Sequence, residues 1–135
     1  MKNLKILTVL ILVATIGSFS ACSSGGSSNT PGDTITKSYN FLKNKDYEKV
    51  SKMYLTRDGK EFSEAEEKKM VSLAAMAYEQ HQKKDGLKNI EITEETISED
   101  GNSAKVKFII HFNNGDTDNE NADLLKKDGK WFIKI

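Results

Sequence analysis

Ala104-Lys105-Val106-Lys107-Phe108-Ile109-Ile110-His111-Phe112 is the stretch on which the reading of the fold turns. Ala104, Val106, Phe108, Ile110 and Phe112 recur at every second position, the period with which a strand sends its side chains to one face. Lys105, Lys107, Ile109 and His111 occupy the other face, so one side is written for a core and the other for water. Glu99 to Ser103 and Asn113-Asn114-Gly115-Asp116 flank the strand with turn-forming residues and predict antiparallel neighbours. On the C-terminal side, Leu124-Leu125 and the alternating Trp131, Ile133 and Ile135 are separated by Asp128-Gly129, a hairpin dipeptide. On the N-terminal side, Ile90 and Ile92 share a parity that Ile97 breaks, and a bulge near Glu94 would reconcile them. The expectation is a four-stranded antiparallel meander.

Upstream of Gly86 the period changes from two to that of a helix. Ser63 is followed three residues later by Glu66, the reciprocal capping box, and Met70, Leu73, Ala74, Ala77, Tyr78 and His81 then form one apolar stripe. Lys83, Lys84 and Gly86 close a helix of about 30 Å. Two short helices are expected before it. Thr34 to Lys43 carries Ile35, Tyr39 and Leu42 on one face, with Gly32 or Asp33 as N-cap. Asp46 would cap a second helix through Tyr47, Val50 and Tyr54, and Thr56 to Lys60 reads as a loop. Three helices followed by a meander is an α+β pattern in which the stripe of the long helix is expected to cover the apolar face of the sheet.

The helical hairpin from Tyr39-Asn40-Phe41-Leu42 through Asp46-Tyr47-Glu48-Lys49-Val50, the long helix, and the ending Leu124-Leu125-Lys126-Lys127-Asp128-Gly129-Lys130-Trp131-Phe132-Ile133 resemble small bacterial lipoproteins of unknown function with a nuclear transport factor 2-like domain. The resemblance covers residues 34–135. It implies a strongly curved, cystatin-like sheet wrapping a long helix into a cone. That fold hosts enzymes, binding proteins and dimerisation modules, so it names no activity.

The first residues read as an address. Lys2 and Lys5 precede an uncharged apolar run from Ile6 to Ile16, and small residues lead to Cys22, the only cysteine of the chain. The run is shorter than the roughly 20 residues a spanning helix needs. Phe19-Ser20-Ala21-Cys22 resembles a lipobox, with Phe19 in the place of the usual aliphatic residue. This resemblance implies a signal peptide over residues 1–21, removed before a cysteine that carries fatty chains such as palmitate. Each buried methylene contributes about 0.8 kcal/mol, and two chains hold a protein durably on a bilayer. Residues 22–33 then read as the lipidated cysteine and a Ser/Gly tether, of which Ser23 to Gly32 would span roughly 17 Å as a flexible coil. Ser23, where an aspartate would signal retention at the inner membrane, implies outer-membrane delivery and a periplasm-facing domain if the source has two membranes. In a source with one membrane the domain would stand on its outer face.

Without residues 1–21 the chain loses Lys2 and Lys5 and keeps 18 basic against 20 acidic side chains, a net charge near −2. With Arg57 as the sole arginine and no basic field, nucleic acid is excluded as a partner. No thiol is left for a disulfide once Cys22 is acylated, so stability must come from a core of roughly 100 residues. No cofactor motif is present.

Tyr78 and His81, three apart on the long helix, are expected to point into the mouth of the cone beside Phe108 and Trp131, as lining of a ligand pocket. The bland alternative makes Tyr78 a core residue and His81 the wet end of a stripe. An isomerase or dehydratase of this fold would need a base and a facing donor, for which Tyr78, His81 and Asp123 are the candidates; the parity of Asp123 leaves core and solvent both open. His111 belongs with Lys105 and Lys107 on the solvated face. Asp116, Asp118, Glu120 and Asp123 invite a calcium reading, but an EF-hand loop counted from Asp116 would put Asn121 where glycine is needed and Lys127 where the closing carboxylate belongs, so no metal site is assigned. Ile109 and Phe132 leave apolar side chains on the outer face of the sheet, where a homodimer could form. The reading is a membrane-anchored, non-enzymatic envelope protein that binds a small ligand or an envelope partner, with an enzyme on a small apolar substrate as the alternative.

Overall fold

The computed structural model describes residues 30–135; the expected signal segment, Cys22 and the tether as far as residue 29 lie outside the described residues. In chain order the elements are α1 (Pro31–Lys43), α2 (Tyr47–Ser51), β1 (Tyr54–Leu55), α3 (Glu64–Gln82), β2 (Leu87–Ile97), β3 (Ser103–Phe112), β4 (Thr117–Lys127) and β5 (Lys130–Lys134). The fold is α+β, as expected, with five strands in the order β1-β5-β4-β3-β2. The expected meander is β2 to β5. The fifth strand comes from Tyr54 and Leu55, of which the helical spacing predicts Tyr54 on the second helix; that helix stops at Ser51. Two residues then run parallel to β5, and the main-chain N–H groups of Ile133 and Ile135 donate to the carbonyls of Met53 and Leu55. A two-residue strand is too short to show a period, which is why the sequence did not disclose it.

The local signs worked where a specific hydrogen bond carries them. Ser63 Oγ accepts from Glu66 N–H while the Glu66 carboxylate accepts from Ser63 N–H at 2.8 Å, the complete capping box. The β2–β3 register shifts between Ile92 and Glu94, where the change of parity required a bulge. Asp128 and Gly129 both have positive φ, 51° and 76°, the geometry of a two-residue hairpin turn between β4 and β5. Three ends differ from expectation. α1 begins at Pro31 rather than Thr34, capped by Thr30, whose Oγ1 accepts from Asp33 N–H; proline at the first helical position forfeits no hydrogen bond. Asp46 makes no side-chain cap on α2 and pairs with Lys49 instead. After α3 both Asp85 and Gly86 have positive φ, 61° and 87°, with Gly86 N–H donating to the His81 carbonyl and Asp85 N–H to that of Gln82, a Schellman ending that puts a carboxylate residue one position ahead of the expected glycine.

The main core lies between α1 and the inner face of the sheet. Ile35 packs with Ala104, Val106, Phe108, Ile110 and Phe112 of β3, and with Leu87, Leu124, Trp131 and Ile133 of the other strands. α1 touches β2, β3 and β5, so the sheet bends around this helix. The expected cover was α3. The longer helix packs instead on α2 and α1, where Ala74 joins Leu42 and Val50 in a second cluster. Of its six stripe residues only Ala74 is buried, and Leu73 is 46% exposed. No helix among the described residues is long and apolar enough to cross a membrane.

Candidate functional site

A pocket of about 200 Å³ opens where α1, α3 and β1 meet. Its apolar walls are Leu42 and Val50 on one side and Met70, Leu73, Ala74 and Ala77 on the other. The polar end is made by Ser38 and Tyr39 of α1, Tyr54 of β1 and His81 of α3. Helical spacing explains why these side chains converge: Ser38, Tyr39 and Leu42 share one face of α1, and the stripe of α3 supplies every fourth or third residue opposite.

Of the four residues expected to line a pocket, His81 alone lines this one. Its ring stacks on Tyr39, centroids 6.1 Å apart, and meets the Phe112 ring edge-on at 5.3 Å. Phe108 reaches the site through Tyr39, whose ring lies 5.7 Å away, and is itself a core residue. Trp131 is buried in the core beneath Lys126. Tyr78 turns toward α2, packing on the cluster of Leu42, Val50 and Ala74, where its ring meets Tyr47 edge-on and lies under Lys45 Nζ at 4.9 Å. The 100° turn per residue separates Tyr78 from His81 by enough of the helix face to send one toward α2 and the other toward the sheet. Tyr39, Ser38 and Tyr54 are the site residues the sequence reading passed over. The sign available was that tyrosine at an apolar position needs a partner for its hydroxyl when buried.

The electrostatics of the polar end are those of neutral groups near carboxylates. Burial, then the neighbouring Tyr54 hydroxyl, Glu120 and Asp118, push the Tyr39 phenol far above its ordinary value. Burial raises Tyr54 as well, while a hydrogen bond from Ser38 pulls the other way. Burial and then Lys84 lower the His81 imidazole, with Asp118 opposing them. Asp118 and Glu120 stand opposite Ile110 and Phe108 on the inner face of β4, and Asp118 holds Lys84 Nζ at 2.7 Å while that ammonium sits 4.4 Å above the Phe112 ring.

Asp123 faces water and pairs with Lys105 on the outer face at 3.8 Å, so Tyr78, His81 and Asp123 occupy three separate places. His111 is also on the outer face, with Nε2 2.7 Å from Glu91, and Lys107 meets Glu94 there at 2.9 Å. Ile109 stands among these charges. Both Ile109 and Phe132 are half-buried; Phe132 lies beside Leu55 and Phe62, where the segment between β1 and α3 crosses the outer face of the sheet. No group of three His, Cys, Asp or Glu side chains among the described residues could hold a metal.

A family model matches residues 22–134. The chain belongs to the DUF4878 family, a domain of unknown function. The DUF4878 chain superposes on a crystal structure from Campylobacter jejuni, provisionally named an NTF2-like transpeptidase, with a TM-score of 0.65 at 27% sequence identity, over 78% of this chain and 98% of that one. A solution structure of a SEC-C motif containing protein from Rhodopseudomonas palustris gives a TM-score of 0.56 at 13% identity, over 78% and 76% of the two chains, which is a likeness of fold alone. No curated protein matches by sequence. The expected nuclear transport factor 2-like domain of unknown function is what these likenesses give.

Proposed function

We propose that this DUF4878 chain is a lipoprotein of the bacterial cell envelope, moored through acylated Cys22, whose domain takes up a small ligand beside the bilayer without transforming it. The observation that carries the reading is the pocket between α1 and α3, with apolar walls and four polar side chains gathered at one end. The mooring rests on the layout of the first 22 residues. The mechanism is local capture. A binding site tethered within a few nanometres of the membrane meets molecules released there at a raised effective concentration.

Two experiments test the two halves. Mass measurement of the protein from its native membranes is expected to show residues 1–21 absent and a diacylglycerol thioether on Cys22, and Cys22→Ala is expected to move the protein to the aqueous fraction. A bare thiol, or a membrane fraction unchanged by the substitution, refutes the mooring. For the pocket, Ala77→Leu places three further carbon atoms in the space between the helices. The expected result is loss of ligand carried through purification, read by mass spectrometry of extracts, with an unchanged or raised unfolding midpoint. Equal ligand content in the two proteins refutes capture at this site.

A further inference from the structure

We infer that the pocket takes a short amphiphile with a hydrocarbon body and a neutral or positively charged hydrogen-bonding head, and that it rejects carboxylates and phosphates. The inference rests on the reading of the pocket as a capture site and adds the chemistry of what is captured.

The body is assigned by the walls. Leu42, Val50, Met70, Leu73, Ala74 and Ala77 offer no hydrogen bond, and 200 Å³ is below the range of drug-sized sites, so the body is short. Met70 and Leu73 lie toward the N-terminal half of α3 and His81 near its C-terminal end, which puts tail and head at opposite ends of the pocket. The apolar surface also continues outward: Leu73 is 46% and Met76 62% exposed on the same helix.

The head is assigned by what surrounds Tyr39 and His81. An anion needs a cation or a set of converging N–H donors to replace its water. None of the ten residues lining the pocket is Lys or Arg. Lys84, the ammonium whose charge acts on His81, is already held by Asp118 at 2.7 Å and by the Phe112 ring. Glu120 adds a second carboxylate on the same face, opposite Phe108, so two acids against one lysine leave the mouth negative. Burial first, then Tyr54, Glu120 and Asp118, raise the Tyr39 phenol, and burial with Lys84 keeps the imidazole of His81 uncharged at neutral pH. Hydroxyl groups and a neutral imidazole can bond an amide, an alcohol or an ammonium; the carboxylates would repel another anion.

The test uses the full chain in lipid nanodiscs with ¹³C-labelled methionine methyl groups, titrated at pH 7 with hexanamide, hexylamine and hexanoate, three probes of one tail length. Met70 reports on the pocket and Met76 on the surface outside it. Saturable shifts at Met70 are expected with hexanamide and hexylamine, and affinity about tenfold weaker for hexanoate, the scale of one unit charge roughly 12 Å from another at an effective dielectric of about 20. In Asp118→Asn/Glu120→Gln the disadvantage of hexanoate is expected to shrink severalfold. Hexanoate binding at Met70 as tightly as hexanamide overturns the charge selection and leaves the capture site standing. Absence of a Met70 shift with every probe, or equal shifts at Met76, overturns the capture site and the selection together.

Discussion

His81 holds one ring between those of Tyr39 and Phe112, close to Lys84, and the price is a proton it accepts less readily than a histidine in water. Its folded-state pKa is depressed below the ordinary value near 6.5, so the unfolded chain binds this proton first as the pH falls. The contribution is therefore fully present above about pH 6.5 and is lost as the pH drops through the folded-state value. Urea midpoints at pH 7.5 and 5.5 should differ less for His81→Gln than for the unchanged protein; an equal difference would show that the ring carries no such linkage. Two other residues bear on helix ends. Ser63→Ala removes the acceptor of the capping box and should cost about 1 kcal/mol, read as a lower urea midpoint. Asp85→Gly should act in the opposite sense, raising stability by about 0.5 kcal/mol, because φ of 61° strains a residue with a Cβ and suits glycine. The Asn113 side chain would keep its bond to the carbonyl of residue 85.

Among the elements, strands were more legible than helix docking. The alternation in Ser103–Phe112 is reproduced residue for residue, because a strand with one wet face has only one register that buries Val106, Phe108, Ile110 and Phe112 together. A helix stripe says that a face is covered but does not say by what. The face of α3 meets α2 and α1, and the sheet is covered by α1, whose Ile35 is almost wholly buried. The outer-face pair shows the same limit. Parity put Ile109 and Phe132 together, yet the 56–63 segment reaches over only one of them, bringing Phe62 to Phe132 and Leu55 and leaving Ile109 among charges. Phe132→Ala should accordingly cost about 2 kcal/mol of stability, less than the 3–5 kcal/mol of a fully buried phenylalanine. Ile109→Thr, at a half-buried position between charged neighbours, should cost about 1 kcal/mol. Equal costs in thermal or urea unfolding would mean that the segment does not shield Phe132.

For the molecule as a whole, a single cysteine in 135 residues means that no disulfide can form within the chain, and the unfolding midpoint should be the same with and without reductant. A shift on adding reductant would point to pairing between chains. By itself the sequence determined the α+β class, the meander of β2 to β5 with its bulge and the capping box, because each rests on a period or a hydrogen bond within a few residues; the nuclear transport factor 2-like likeness came from the resemblance of the helical hairpin and the Leu124–Ile133 ending to known lipoproteins. Only the tertiary structure decided that β1 joins β5, that α1 rather than α3 lies on the sheet, and that His81 meets Ser38, Tyr39 and Tyr54 while Tyr78 and Asp123 face elsewhere. The physical reason is one of range: periodicity fixes which way a side chain points from its own element, and the partner it meets is set by how elements far apart in the chain close around a shared core.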